Sequence, residues 1–537
     1  MMRRDAVWIV LLGLGLNGLA ASFIVRPAYM DAYYYFGGAL QLARGLGFTE
    51  PYVWNYLGPI MSLPAPSHLY WMPLASVVAA PFIALAERLA GPGLSNDAVF
   101  HAAQIPFVVI ASLLPLLSYA VAQSTTGLRR HAIVAALLTL FSAYYFLFWT
   151  NVDAFALFGL LAGGALFIYG RAIADPGQWP KRWLLLSGVL AGLAHLARAD
   201  GMLVISCIVL FGLWHLVRRR SFQPSAFILL PLLGYLLVIS PWLLRNWLVV
   251  GTPLAPGGTR TFWLVTYDDL FSYPIDTLTL TRYLAAGWLK ILQDKWEAVT
   301  LNFGNLVVVQ SNIVAFPFVL IGWWPLRRRP VYQLALLYGL ALFAAMSLAF
   351  TLPGPRGGYI HSGGALLPFI YPAALVGLEA VVEAIARRLK HWQPEKSKPM
   401  FTLMLLMLCV ALTGYRFVTS AIGADWRRPT SSQADVVYAE IGAWLKQAGQ
   451  ANVIVAANNP PAFYYMTGYS SIVVPSGTPE ALLEVMSIFG ARWAVLDANH
   501  ADGLVALYQS PTSEPRLRLR ATFDNGGYNV YLFERVP

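Results

Sequence analysis

Apolar runs about the length of a bilayer crossing, closed off by basic clusters, recur from one end of this 537-residue chain almost to the other. Arg3-Arg4, Arg129-Arg130, Lys181-Arg182, Arg218-Arg219-Arg220, Arg327-Arg328-Arg329 and Arg387-Arg388 punctuate those runs. No soluble fold tolerates that many spanning-length apolar segments. The composition agrees: 58% of residues are hydrophobic, 12% are charged and mean hydropathy is +0.58. A soluble domain carries roughly 25% charged residues. The net charge of +11 is concentrated in the clusters between runs. That is the positive-inside pattern, and it argues against nucleic acid as a partner. Cys207 and Cys409 lie far apart inside apolar runs, which gives no support to a disulfide framework or a cysteine metal site.

Loop charge sets the expected topology. Residues 6–25 form a first, retained transmembrane helix leading outward, so the loop after it is external. Only one pass can separate that loop from Arg129-Arg130, and 99–122 is the cleaner candidate. The stretch 71–89, with two prolines and a Glu-Arg pair, is then expected to be a juxtamembrane or re-entrant helix of the outer loop. Further passes are expected at 131–149, 154–169, 183–196, 202–217, 227–244, 306–326, 331–352, 365–382 and 400–416. The total is about eleven. An amphipathic stretch is expected around 283–299. Beyond residue 424 the pattern turns to short β-rich runs at 452–457, 471–474, 493–496 and 528–533. Helical stretches at 434–447 and 479–489 accompany them. The expected fold is an all-α polytopic membrane protein with a small extracytoplasmic α/β domain. Residues 1–423 form the transmembrane part, with an outer loop at 26–98, and residues 424–537 form the tail.

The loop YMDAYYYFGGALQLARGLGFTEPYVWNYLGPIMSLPAPSHLYWMP is too polar and too rich in proline to span, and too aromatic for a solvated linker. Rings of this density suit the membrane–water interface. Loop charge places Asp31, His68, Asp153, Arg198, Asp200, Arg245, Arg356 and His361 all on the outer side, and charges at membrane edges are costly enough to be informative. Each also has a structural alternative. Asp31 and Asp153 are good helix N-caps, although Asn151 competes for the second cap. Arg198 and Asp200, in LARADGM, can pair with each other. Arg245 can be a snorkelling helix-end arginine. Arg356 and His361, in PRGGYIHSGG, lie on a Gly-rich turn able to offer several donors to a phosphate. Walker, HExxH and GxSxG signatures are absent from the sequence.

The order of these features resembles the GT-C superfamily of integral-membrane glycosyltransferases, the group of the protein O-mannosyltransferases and the lipid A aminoarabinose transferase. The matching pieces are the acid after the first helix (Asp31), the loop motif SHLYWMPL, the second acid in WTNVD (Asp153), and the segments GLAHLARADG and PWLLRNWLVVGTP. The chain departs in carrying Asp-Ala where O-mannosyltransferases carry Asp-Glu, and in lacking paired prolines after His68.

The resemblance implies a polyprenyl-phosphate-linked sugar donor, a lipid, polysaccharide or protein acceptor, and an active site on the outer face of a bacterial-type plasma membrane. It implies Asp31 as general base in an inverting displacement, with Asp153 as the second catalytic acid. Tyr34, His68, Arg198, Arg245, Arg356 and His361 are the expected substrate-binding residues. No cofactor is assigned; some branches of the superfamily use a divalent metal ion, and no ligand set for one is assigned. Two other classes fit parts of the pattern. A transporter or flippase of lipid-linked sugars would also need many spans, but its site belongs near the midplane. A scaffold or sensor would leave the Asp31 loop unexplained.

Overall fold

The computed structural model describes residues 2–59, 62–91, 93–179, 181–218, 226–389 and 392–536. Arg219 and Arg220 of the fourth basic cluster lie outside them. Among the described residues, eight helices are long and apolar enough to cross a membrane. They are Arg3–Phe23, Asn96–Thr126, Ala154–Ala174, Ala199–Arg218, Ala226–Val250, Pro330–Ala349, Gly354–Ala386 and Pro394–Ile422. Arg182–Ala197 and Phe316–Leu326 are shorter apolar helices. The elements that matter most for function are α1 (Met2–Phe23), α2 (Met30–Ala43), α3 (Leu74–Ala90), α4 (Asn96–Thr126), α5 (Arg129–Leu140) and α6 (Ala154–Ala174).

The chain divides into two compact units, each assembled from separated stretches. One comprises Met1–Val25, Gln104–Trp242 and Asp294–Thr430. The other comprises Arg26–Ala103, Leu243–Gln293 and Ser431–Pro537.

The first unit is helical. Small residues let its helices approach closely, as expected where lipid supplies no hydrophobic drive between them. A Cβ on Gly322 would lie 1.8 Å from the Ala373 carbonyl oxygen, and one on Gly377 1.9 Å from that of Phe318, so Phe316–Leu326 and Leu367–Ala386 touch backbone to backbone. The helix expected over 131–149 stops early. α5 ends at Leu140, and Ala143 takes a left-handed φ of 43°. The backbone groups released there find side chains: Asn312 donates to the Phe141 carbonyl at 3.1 Å, and Thr413 accepts from the Ala143 amide at 3.0 Å. These partners stabilise a break that hydropathy alone does not register. The 306–326 run is likewise interrupted, by a wide turn at Leu306–Gln310 and left-handed Asn312 and Ile313, before its helix begins at Phe316.

The second unit contains the loop and the tail. The tail's sheet has the order β2-β5-β4-β6-β8-β7. Its strands are β2 (Tyr52–Val53), β4 (Val455–Ala457), β5 (Ser471–Val473), β6 (Trp493–Leu496), β7 (Leu517–Asn525) and β8 (Tyr528–Arg535). β2, β5, β4 and β6 pair in parallel, and β8 and β7 add on antiparallel. The edge strand β2 comes from the Asp31 loop, with Tyr52 opposite Ser471 and Val53 opposite Ile472. Val53, Ile472, Ala494, Leu496 and Phe533 share a core with Leu482, Met486 and Phe489. Those last three recur at helical spacing on one face of Pro479–Phe489, which is how that short helix docks. Two further loop strands, β1 (Thr49–Glu50) and β3 (Ala65–Pro66), pair antiparallel.

Candidate active site

Residues of the first unit form a small buried polar centre. Asp153 is the N-cap of α6, and its Oδ1 accepts the Ala154 amide. The cap therefore belongs to Asp153; Asn151 instead accepts from the Val152 amide at 3.0 Å. Capping uses one carboxylate oxygen and leaves the other available. That second oxygen, Oδ2, lies 3.3 Å from His361 Nε2. The His361 ring stacks on Phe155 with centroids 3.7 Å apart, and its Nδ1 lies 2.9 Å from the Gly357 carbonyl, to which it donates. Asp153 is 1% exposed and His361 7%. The helix N-terminus stabilises negative charge at Asp153. A carboxylate oxygen and an imidazole nitrogen facing each other are donors of the kind that hold divalent ions.

The neighbouring residue, Ser362, ties in a second turn. Arg198 Nε donates to Asp200 Oδ1 and to Ser362 Oγ, both at 3.1 Å, and Ser362 Oγ also donates to Asp200. Tyr338 Oη donates to the Ser362 carbonyl at 3.1 Å. Arg198 and Asp200 thus pair with each other and together brace the segment carrying His361. Arg356 is exposed, on the turn Gly354–Gly358.

In the second unit Asp31 lies in the first turn of α2, half-buried. The N-cap is Tyr29, so Asp31 gains from the helix dipole without being the cap. Around the rest of α2 the loop folds into a dry aromatic cluster. Tyr34 and His68 are each 1% exposed. Tyr34 Oη accepts the His68 amide at 2.6 Å, and its ring meets those of Tyr52, Trp54, His68 and Trp71 edge-on or tilted. Trp54 and Trp71 stack at 3.8 Å. His68 Nδ1 donates to the Trp71 carbonyl at 3.2 Å. Burial pushes the imidazole down to about 3, and that hydrogen bond recovers part of the shift. Arg245 Nη2 donates to the Ser67 carbonyl at 2.9 Å and reaches that of Phe48 at 3.4 Å. Its guanidinium sits 5.8 Å over the Phe48 ring.

Sequence inspection overlooked Glu50. It lies in β1, 4% exposed, beside Tyr34 and Arg245. Burial pushes its carboxyl up to about 8, against the pull of the Tyr34 hydroxyl and Arg245. An acid set between a Gly-x-Gly turn and Pro51 was the available signal. The partnership of Tyr33 with Asp435 of the tail was also invisible in sequence; burial first, and Asp497 nearby, push Asp435 up to about 6.

Comparison with known structures now places the fold. It is shared with solved structures of membrane proteins that bind lipid phosphates, and the apolar helices make the chain a multi-pass membrane protein. ArnT from Cupriavidus metallidurans, solved bound to undecaprenyl phosphate, is similar over 98% of this chain and 97% of its own, with a TM-score of 0.56 and 15% identity. The archaeal oligosaccharyltransferase AglB from Archaeoglobus fulgidus, solved with an inhibitory peptide and a dolichol-phosphate, is similar over 97% of this chain and 74% of its own (TM-score 0.54, 10% identity). In sequence, residues 77–244 match the family described as dolichyl-phosphate-mannose-protein mannosyltransferase. No curated protein sequence matches the chain.

Proposed function

We propose that the protein transfers a sugar from a polyprenyl-phosphate donor to an acceptor hydroxyl at the outer face of the plasma membrane, with inversion. The observation that carries this reading is the buried Asp153, held at one oxygen by the start of α6 and facing His361 with the other, in a fold otherwise known from glycosyltransferases. The relatives solved with undecaprenyl phosphate and dolichol-phosphate support a lipid phosphate as the carrier.

The chemistry is a single displacement. The acceptor oxygen attacks the anomeric carbon as the bond to phosphate breaks, and the lipid phosphate leaves. Asp31 takes the hydroxyl proton as the nucleophile forms. Asp153 orients the acceptor. Arg356 stabilises the departing phosphate by charge-assisted hydrogen bonds, and His361, engaged at both ring nitrogens, holds Asp153 in orientation. Arg198 acts through Ser362 as a positioning residue for His361. Arg245, His68 and Tyr34 act through the loop, Arg245 by clamping its carbonyls and the other two by filling its core.

The test is turnover by purified protein of a panel of polyprenyl-phosphate sugars, comparing wild type with Asp31→Asn. Release of polyprenyl phosphate by wild type, falling about 10²- to 10⁴-fold in the variant, is expected for loss of a general base. Binding of the lipids by wild type without any turnover would favour a transporter.

A further inference from the structure

A cleft of about 1000 Å³ opens within the second unit, and no step above uses it. One wall is the C-terminal end of α2 and the chain that follows it, including Gln41; the other is the turn after the helix Val436–Gln447, including Lys446, Gln450 and Asn452. Tyr464 and Tyr469 also line it. Gln41 and Asp31 share α2, so the cleft starts about 15 Å along that helix from the carboxylate.

The lining selects one kind of ligand. Side-chain amides both donate and accept, which matches hydroxyl groups that do the same. Gln41, Gln450 and Asn452 supply three of them. Tyrosine rings offer the flat apolar face that the C–H side of a sugar ring needs, with a hydroxyl at the edge. Tyr464 is half-buried and braced by the Tyr52 ring at 5.9 Å; Tyr469 is fixed by donating to the Gln450 carbonyl at 2.6 Å. Both rings are therefore preorganised, which lowers the ordering cost of binding. Lys446 is the one charged side chain among the described lining residues. A polyphosphate or nucleic acid would want several cations, and a lipid chain would want no amides. A peptide added as a strand would need free backbone donors, but Pro51 and Pro64 stand on that wall without them.

We propose that this cleft binds the acceptor as a neutral oligosaccharide, with its hydroxyls on Gln41, Gln450 and Asn452 and a sugar ring against Tyr464. The proposal rests on the transferase function and narrows its acceptor to a glycan.

The experiment uses the full chain in lipid nanodiscs and titrates linear tetrasaccharides of glucose, galactose, mannose and arabinose, with an unstructured Ser/Thr-containing peptide as rival. Ala451→Trp fills the cleft from an exposed position, and Tyr464→Ala removes the ring platform. At least one tetrasaccharide should bind wild type, with its Kd weakened about tenfold or more by each variant. Release of polyprenyl phosphate into water should be unchanged by Ala451→Trp. No tetrasaccharide binding, binding indifferent to both variants, or peptide binding in place of sugar would each overturn the proposal. Sugar binding at the cleft in a protein that turns over no polyprenyl-phosphate sugar would instead sink the transferase function and leave the site standing.

Discussion

His361 lies flat on Phe155, and in that pose its Nε2 meets the Asp153 oxygen that capping leaves available. The aromatic face sets the imidazole plane, and the Gly357 carbonyl sets its rotation. Phe155→Leu keeps an apolar side chain of similar bulk and removes the flat face. Transfer should fall about tenfold to a hundredfold from misplacement alone, with thermal stability nearly intact. Equal activity in the variant would mean that the stack does not position His361.

Arg245 holds two carbonyls on opposite sides of the β1–β3 hairpin, Phe48 and Ser67. A planar fork can serve both; an ammonium on a flexible stem cannot do so without losing geometry. Arg245→Lys should loosen the loop by about 0.5–1.5 kcal/mol, the net worth of one hydrogen bond, since the Phe48 carbonyl still accepts the Ser67 amide. Hydrogen exchange across residues 48–67 should speed up, while the KM for the lipid donor stays the same. A change in donor KM with unaltered exchange would make Arg245 a phosphate ligand instead.

Two buried groups give the loop opposite pH dependences. Glu50 is raised from 4.5 to about 8, so between those values the folded state holds more protons than the unfolded. Its contribution is complete below 4.5 and is lost as pH rises toward 8. His68 is lowered from 6.5 to about 3, so the unfolded state holds more protons there and stability is lost as pH falls through that window. The slopes offset each other between 4.5 and 6.5, and above 6.5 Glu50 acts alone. The Tm of wild type should drop from pH 6.5 to 8, and Glu50→Gln should flatten that drop. An identical slope in the variant would remove Glu50 from the account.

Gly38 lies inside α2, where alanine would normally stabilise by about 0.5–1 kcal/mol. Here a Cβ would come 2.8 Å from both His68 Nε2 and Ser76 Oγ. Overpacking of this kind costs about 1–3 kcal/mol and outweighs the helix gain. Gly38→Ala should therefore lower the denaturation midpoint in urea, and a rise would mean that the cluster around His68 has slack.

The long apolar helices were legible because hydropathy is a local property, as were the helices at 434–447 and 479–489 and most tail strands. What escaped depends on partners distant in sequence. α5 stops at Leu140 because Asn312 and Thr413 take its backbone groups, and no window of neighbours contains them. β7 escaped because its alternation carries arginines; Arg520 is there to meet Glu534 on β8. Residue type pointed to Asp153 and His361, which face each other, while burial separated roles that charge alone could not. Arg245 shows its two carbonyls only in three dimensions, and Glu50 shows its dry surroundings only there.

The edge strand β2 also imposes an order in time. Val53 pairs with Ile472, so a ribosome must add roughly 400 more residues before the loop meets its sheet, some tens of seconds at typical elongation rates. Throughout that interval the aromatic loop has no tail to close against. A nascent chain of this protein therefore carries β2 as an unpaired edge, open to wrong pairing, until the strands of the tail emerge.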